Sequence, residues 1–196
     1  MASIRDAVLQ VGALLDSMEI TYAIGGLSAS SVHGVARPTQ DLDLIAAIPP
    51  AQADAFVDAL RRDFYVDAES IRSAIRLRRS FNLIHLETGF KIDIFPVGSH
   101  ALGSQQLKRR RIEESAIPGG PAATFPVISP EDTILVKLSW YRDGGESSER
   151  QWNDLRNIIR VQGDRLDQGY LHEWSRELGV SDLLGRLLNE SSDLIL

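Results

Sequence analysis

The sequence predicts an α/β (α+β) fold, in which a small mixed β-sheet flanked by helices is followed by C-terminal helices. Two observations predict it: short runs of alternating apolar residues in the first two thirds of the chain, and a change to helical periodicity near residue 129. The clearest alternating runs, 81–86 and 90–95, are separated by Glu87-Thr88-Gly89 and predict a β-hairpin. We therefore expect a core at 1–128 and a helical region at 129–196.

Helices and strands alternate in the first part of the chain. Apolar residues at three- and four-residue spacings predict a helix over residues 3–18. Pro49 and Pro50 end a strand and begin the next helix, because proline fits the first helical turn. The elements predicted here are a helix at 3–18, a strand at 20–24, a helix at 27–33, a strand at 41–48, a helix from 50 to about 62, a strand at 64–66 and a helix at 70–78.

The second part of the chain is predicted to end in helices. Ser129 precedes Pro130, Glu131 and Asp132, and an N-cap serine followed by proline and two acids is a strong signal for a helix start. The basic run 108–111 ends a predicted helix, where we expect it to be a solvated edge. After the hairpin we predict a helix at 101–108, strands at 110–115 and 124–128, and helices at 129–142, 147–161, 167–178 and 181–190.

The composition is that of a globular protein, and it excludes several kinds of site. Of 196 residues, 43% are hydrophobic and 24% are charged, which is enough to bury a core. The absence of cysteine excludes disulfides, thiolate metal sites and a cysteine nucleophile. A net charge of −6 argues against a protein that coats DNA. The amphipathic N-terminus differs from a signal peptide and no apolar run has the length of a membrane span, so we expect a cytoplasmic protein without membrane association.

Residues 22–46 carry the pattern around which the predicted core is arranged. Gly25-Gly26 forms a turn ahead of a helix, where backbone N–H groups can approach a phosphate. Asp41 and Asp43 are two residues apart in a predicted strand, so their side chains project from one face. Paired carboxylates suit Mg²⁺, which binds through one or two carboxylates together with substrate phosphates. The stretch therefore predicts a metal-dependent site for a nucleoside triphosphate, and the alternative is a surface turn followed by two solvated aspartates.

A third carboxylate lies in the second strand of the predicted hairpin. Asp93 stands between Ile92 and Ile94, and a charged group inside a strand is rarely buried unless it is paired or binds a metal. Asp93 beside Asp41 and Asp43 forms the three-carboxylate arrangement that two-metal phosphoryl chemistry needs. In that arrangement Asp41 and Asp43 hold the ion that carries the triphosphate. Asp93 helps to hold the second ion and takes the proton of the attacking hydroxyl.

Together the motifs resemble those of the nucleotidyltransferase (polymerase-β-like) superfamily, and most of all its minimal nucleotidyltransferases and AbiEii-type toxins. The resemblance spans about residues 22–155 and implies a nucleotidyltransferase fold with its catalytic core at 1–128. It depends on Gly25-Gly26 followed after 14 residues by Asp41-Leu42-Asp43, on Lys91-Ile92-Asp93-Ile94-Phe95, and on a helix with Glu131, Asp132, Leu135, Lys137, Leu138 and Arg142 followed by Asp154-Leu155.

The resemblance implies transfer of a nucleoside monophosphate from an NTP to an acceptor hydroxyl, with release of pyrophosphate. It implies Mg²⁺ as the cofactor, present as two ions, with Mn²⁺ as the alternative. The catalytic and metal-binding residues are then Asp41, Asp43 and Asp93. The residues expected to bind the nucleotide are Gly25, Gly26, Ser28, Arg37, Thr39, Lys91 and Lys137.

Simpler structural roles stay open for five of these residues. Ser28 can cap the helix that follows the turn. Lys91 can be an exposed strand lysine, and Lys137 can be a surface lysine of an amphipathic helix. Arg37 and Thr39 can brace the loop that leads into the second strand. The sequence alone therefore ties the aspartates to the chemistry more firmly than it ties the nucleotide contacts.

The acceptor is open at the level of the sequence. A nucleic-acid end such as a tRNA 3′ terminus, a protein side chain and a small alcohol such as an aminoglycoside all fit, and the acidic charge favours a cationic small molecule or a protein over RNA. The resemblance also implies a toxin role with an antitoxin partner, and a homo-oligomer is the alternative assembly. The competing hypothesis is a non-catalytic module of the same fold that binds a nucleotide or a partner protein.

Overall fold

Seven strands form one mixed sheet in the residues that the computed structural model describes, which are 3–35, 41–98, 102–115 and 123–192. The strands are β1 (Tyr22–Ile24), β2 (Asp41–Ala46), β3 (Phe64–Tyr65), β4 (Phe81–His85), β5 (Lys91–Pro96), β6 (Arg111–Ser115) and β7 (Ala123–Val127). They lie in the order β3-β4-β5-β2-β1-β7-β6. Strand β2 runs parallel to β5 and β1 runs parallel to β7, whereas the other neighbours are antiparallel. The predicted mixed sheet and the predicted hairpin of β4 and β5 are therefore confirmed.

The helices of the described residues follow the predicted order. They are α1 (Ile4–Ser17), α2 (Gly26–His33), α3 (Ala53–Leu60), α4 (Ala68–Leu77), α5 (Gly103–Lys108), α6 (Pro130–Asp143), α7 (Glu149–Gln162), α8 (Gln168–Glu177) and α9 (Ser181–Ser192). A short 3₁₀ helix, Pro50–Gln52, precedes α3. The strand that was expected to reach residue 48 ends at Ala46, because only one further ladder bond, from Ala47 N–H to the Thr21 carbonyl, forms before the prolines.

Side-chain caps fix the starts of the longer helices. At α1 the Ser3 hydroxyl accepts a bond from Asp6 N–H, and the Asp6 carboxylate accepts one from Ser3 N–H, which completes a capping box. At α6 the Ser129 hydroxyl accepts a bond from Asp132 N–H, and Pro130 occupies the first helical position. The helix start predicted at residue 129 is therefore confirmed.

One face of the sheet packs against α1, α3 and α4. Every second residue of β5 is buried, and β2 begins with the same alternation, as expected for strands with one covered face. The buried side chains of Leu44 and Ile94 belong to one cluster with Val11 of α1, Phe56 of α3 and Ile71 of α4. The polar residues of β2 and β5 consequently lie on the opposite face, which is partly open.

A second hydrophobic cluster joins the C-terminal helices. It includes Leu135 of α6, Leu155 of α7 and Leu184 of α9, together with Leu102, which lies just before α5. Because Leu102 comes from the part of the chain before residue 129, the boundary between 1–128 and 129–196 stays a prediction. None of the helices in the described residues is long and apolar enough to cross a membrane.

Candidate active site

The parallel pairing of β2 with β5 brings the three predicted carboxylates onto neighbouring positions of one sheet face. Asp41 lies opposite Lys91, and Asp43 lies opposite Asp93. Paired residues of adjacent strands share a face, and residues two apart in one strand do as well. The four side chains therefore form a square on the open face. The antiparallel pairing of β4 with β5 adds Asn82 beside Asp93, a neighbour that sequence reasoning missed although the hairpin register contains it.

The Gly25-Gly26 turn holds Asp43 directly. Gly25 N–H donates to the Asp43 carbonyl at 2.8 Å, and Leu27 N–H, in the first turn of α2, donates to Asp43 Oδ2 at 3.3 Å. Gly26 has a φ of +53°, and a Cβ at this position would lie 1.7 Å from Asp43 Oδ2. Only glycine combines this backbone conformation with so close an approach. The turn predicted to face a phosphate is thus built against the carboxylate predicted to hold a metal.

Lys91 bridges the other two carboxylates. Its ammonium Nζ lies 2.6 Å from Asp93 Oδ2 and 3.7 Å from Asp41 Oδ2. The hydrogen bond to Asp93 raises the pKa of Lys91 above its ordinary value, and burial opposes that rise. The lysine side chain is 41% exposed, yet its ammonium pairs with two carboxylates of the site. Lys91 is therefore not simply an exposed strand lysine.

Burial raises the pKa of Asp43 from its ordinary value of 3.8 to about 6. The hydrogen bond from Leu27 N–H opposes the rise, and the neighbouring charges of Asp41 and Asp93 add to it. A carboxylate that is partly desolvated and surrounded by like charges favours binding a proton or another cation.

The carboxylate oxygens fit a divalent ion chemically, although the side chains are not gathered around one. In the parts of the chain that the structure describes, no three acidic or histidine side chains are close enough together to hold a metal ion. The contacts give the reason: Asp43 is turned toward Leu27, while Lys91 attracts Asp93 and Asp41. Oxygen ligands of this kind are those that Mg²⁺ and Mn²⁺ prefer. The ammonium of Lys91 lies between the carboxylates of Asp93 and Asp41.

The remaining predicted nucleotide contacts lie in different surroundings. Ser28 is buried, and its hydroxyl finds no hydrogen-bond partner among the described residues, so it does not cap α2. Lys137 is also buried rather than on the surface, and its Nζ lies 3.1 Å from Asp154 Oδ2 on α7. Arg37 and Thr39 lie outside the described residues, so their predicted contacts stay predictions.

An aromatic pair lies beside the carboxylates. Phe95 follows Asp93 by two residues and shares its face of β5, and its ring centroid is 6.1 Å from that of Trp140 on α6. Trp140 is 37% exposed. The open face of the sheet therefore offers carboxylates at one end of β5 and an accessible aromatic surface toward the other.

Comparisons with known proteins identify the fold. No protein-family model and no curated protein matches the chain. It is similar to the crystal structure of an antigenic nucleotidyltransferase-like protein from Paracoccidioides brasiliensis, with 20% identity, 96% of this chain and 88% of that chain covered, and a TM-score of 0.59. It is also similar to the crystal structure of ANT(2″)-Ia in complex with adenylyl-2″-tobramycin, with 14% identity, 88% and 94% of the two chains covered, and a TM-score of 0.50. The architecture described above is thus shared with these two structures, and the chain has a nucleotidyltransferase fold.

Proposed function

We propose that the chain is a metal-dependent nucleotidyltransferase, which moves a nucleoside monophosphate from an NTP to an acceptor hydroxyl and releases pyrophosphate. The observation that carries the proposal is the contact between the Gly25-Gly26 turn and Asp43. The N-terminus of α2 favours phosphate groups, and the carboxylate it contacts favours a divalent ion. Leu27 N–H donates to Asp43 Oδ2, and residue 26 has no space for a side chain. One small region thereby combines the two components needed to hold a metal-bound triphosphate.

The turn and the first residues of α2 are proposed to bind the triphosphate. The buried Ser28 hydroxyl lacks a partner among the described residues, and a phosphate oxygen would satisfy it. Arg37 and Thr39, before β2, remain proposed contacts to the nucleotide. For Lys137 to bind the nucleotide, its ammonium has to exchange Asp154 for a phosphate oxygen.

In the proposed reaction the acceptor oxygen attacks the α-phosphorus. The bond from the α-phosphorus to the oxygen that bridges it to the β-phosphorus breaks, and pyrophosphate leaves. Asp93 accepts the proton of the acceptor hydroxyl, for which its carboxylate lies on the open face of β5. Asp41, Asp43 and Asp93 are the residues that would hold Mg²⁺ or Mn²⁺, which supplies charge neutralisation on the phosphates when bound.

The acceptor favoured by the site is a small cationic molecule that carries a hydroxyl. The chain has a net charge of −6, and carboxylates line the open face, so a cationic acceptor is attracted where an RNA end is repelled. The adenylyl-2″-tobramycin in one structural neighbour supports an acceptor of this class. A protein side chain and an RNA end are the other acceptors to test. A toxin role with an antitoxin partner belongs to the protein-modifying and RNA-modifying versions of the proposal. A cytoplasmic location is proposed for every version.

The test is transfer of label from each α-³²P-NTP in the presence of Mg²⁺ or Mn²⁺. Separate reactions contain a panel of aminoglycosides, total RNA and a protein extract, and the products are separated by thin-layer chromatography and denaturing gels. We expect label in one acceptor class, its complete loss with Asp43→Asn, and a loss of about 10²–10⁴-fold with Asp93→Asn. Asp58→Asn, which changes an exposed carboxylate on α3, serves as the matched control with unchanged transfer.

Three outcomes would redirect or contradict the proposal. Binding of NTP without transfer to any acceptor would favour the non-catalytic nucleotide-binding module. Absence of NTP binding in the presence of either ion would contradict the proposed function altogether. Full transfer by Asp43→Asn would contradict the role of the carboxylate that the Gly25-Gly26 turn contacts.

A further inference from the structure

Lys91 occupies the position between two carboxylates that are both proposed metal ligands. Its Nζ is 2.6 Å from Asp93 Oδ2 and 3.7 Å from Asp41 Oδ2. An ion that binds to Asp93 and Asp41 together therefore has to displace this ammonium. Asp43 is separate, because its carboxylate faces Leu27 N–H at the start of α2.

We propose that the ammonium of Lys91 supplies the positive charge that a second metal ion supplies in two-metal phosphoryl transfer, so that this site takes one divalent ion, beside Asp43 and Asp41. The inference rests on the proposed function and specifies its metal requirement. The proposed single ion differs from the two ions that the family resemblance implies. The difference follows from Lys91, which pairs with Asp41 across the two strands.

The backbone of Lys91 is held on both sides. Its strand β5 lies between β2 and β4, where Lys91 pairs with Asp41 on one side and Ile84 on the other. A residue in a central strand cannot move out of the ladder without breaking hydrogen bonds to both neighbours. The ammonium can swing on its flexible stem, but its charge stays within reach of Asp41 and Asp93.

The charges of the site agree with one ion rather than two. Before a nucleotide binds, three aspartates and one lysine leave these four side chains with a net charge of −2, which one divalent ion neutralises. Replacing the ammonium with a second metal ion would require Asp93 and Asp41 to release a direct ion pair. Asp43 requires no such exchange, because its carboxylate accepts a hydrogen bond from the backbone N–H of Leu27. The first ion is therefore expected at Asp43, on the side of the turn.

The consequence for the reaction concerns Asp93. With Lys91 retained, Asp93 accepts the acceptor proton while paired to an ammonium, which also neutralises charge developing on the adjacent phosphate. Lys91 also orients the Asp93 carboxylate through their ion pair. Its substitution is expected to change the number of bound ions and not only the rate.

The experiment counts bound Mn²⁺ by electron paramagnetic resonance in the presence of a saturating, non-hydrolysable α,β-methylene NTP. We expect one tightly bound ion per chain in the wild type and in Lys91→Arg, and two in Lys91→Met, which removes the charge and keeps the stem. Lys108→Met, an exposed lysine at the end of α5, is the matched control and should retain one ion. Circular dichroism establishes that each variant is folded.

The outcomes separate this inference from the proposed function. Two tightly bound ions in the wild type would overturn the inference and leave nucleotidyl transfer untouched, and this measurement needs no variant to fold. One ion in a folded Lys91→Met would also overturn it, because the second position would then be unavailable for another reason. Absence of nucleotide-dependent Mn²⁺ binding in the wild type would contradict the proposed function itself.

Discussion

Two groups of carboxylates lie beside helix N-termini in this molecule, and their neighbours differ in kind. We call the group on the open face of the sheet the site cluster, which consists of Asp41, Asp43, Lys91 and Asp93. We call the group at the start of α6 the α6 cluster, which consists of Arg109, Glu131, Asp132 and Tyr170. The first is partly exposed and the second is buried, so burial alone predicts the larger electrostatic cost for the second.

In the α6 cluster, hydrogen bonds and an ion pair offset the cost of burying the carboxylates. Asp132 is 0% exposed and accepts hydrogen bonds from the Tyr170 hydroxyl at 2.7 Å and the Ser129 hydroxyl at 2.8 Å. Glu131 accepts one from Asp167 N–H at 3.0 Å and lies 3.3 Å from the Arg109 guanidinium, which stacks on the Tyr170 ring. These groups satisfy Asp132 with hydrogen bonds, whereas Glu131 Oε2 accepts no hydrogen bond among the described residues and depends on its ion pair with Arg109.

The pKa shifts of the two clusters show the difference. Burial acts to raise the pKa of Glu131, but bonds from backbone N–H groups and the charge of Arg109 hold it below its ordinary value. Burial raises the pKa of Asp132, and its bonds to Tyr170 and Ser129 oppose that rise. Burial also raises the pKa of Asp43, but there the neighbouring Asp41 and Asp93 reinforce the rise. Asp132 also has the like charge of Glu131 beside it, and Asp43 has the opposite charge of Lys91, so the two clusters differ in the balance of neighbouring charges and hydrogen bonds and not in the presence of a helix N-terminus.

The largest expected change in unfolding free energy comes from the substitution Arg109→Met in the α6 cluster. Removing the guanidinium leaves Glu131 and Asp132 buried with a lost counter-charge, which costs about 3–5 kcal/mol of unfolding free energy. Urea unfolding monitored by circular dichroism measures this. Arg111→Met is the matched control, because Arg111 is half exposed and lies 3.9 Å from the same Glu131 oxygen, so we expect a loss below about 1 kcal/mol. Equal losses in the two variants would show that the α6 cluster is not stabilised by Arg109.

The α6 cluster also shows what the sequence could not predict. Ser129, Glu131 and Asp132 correctly predicted a helix start, because capping depends on residues that are close in the chain. Their burial depends on Tyr170, which is 38 residues from Asp132, and on Arg109, which was expected at a solvated edge. No local pattern contains such long-range pairs, and net charge carries no information about them.

The site cluster was more predictable for the same reason. Alternation in β2 and β5 placed Asp41, Asp43 and Asp93 on polar faces, and the glycines predicted a turn before a helix. The parallel register that sets Asp43 opposite Asp93 is a feature of the tertiary structure, which no local sequence pattern specifies. So are the ion pair of Lys91 with Asp93 and the burial of Lys137 against Asp154. The sequence therefore predicted the residue types of the site, whereas their pairing required the fold.

The second prediction concerns the contact between the Gly25-Gly26 turn and Asp43. Gly26→Ala places a Cβ where Asp43 now lies and forces a positive φ on alanine, so we expect a loss of about 3 kcal/mol in unfolding free energy. Gly25→Ala is the matched control for stability, since its Cβ would lie 3.5 Å from Ile45 Cδ1 with an extended backbone, and its loss should stay below about 1 kcal/mol. Urea unfolding of both variants provides the comparison. If Gly25→Ala were as damaging as Gly26→Ala, the close approach of Asp43 would not be the reason for the second glycine.

The smallest of the three effects has the opposite sign. Asp43 has a folded pKa of about 6 against an ordinary value of 3.8, so the folded protein binds the proton more tightly than the unfolded chain. In the metal-free protein, the contribution of Asp43 to the free energy of unfolding is therefore full below pH about 4 and is lost as the pH rises through about 6. Asp43→Asn removes this cost, and we expect it to stabilise the metal-free protein by about 2 kcal/mol near neutral pH while nucleotidyl transfer is lost.

Urea unfolding in EDTA at pH about 4 and about 7 measures the effect. The gain from Asp43→Asn should be large at the higher pH and small at the lower one, where the wild-type carboxyl is already protonated. Asp58→Asn, on the exposed face of α3, should show no comparable pH-dependent gain. A variant that is less stable than the wild type at neutral pH would mean that Leu27 N–H and Lys91 together neutralise Asp43 as fully as Arg109 and Tyr170 neutralise the α6 cluster. In that case the contrast between the two clusters would not hold, and the site would not depend on a metal ion to balance its charge.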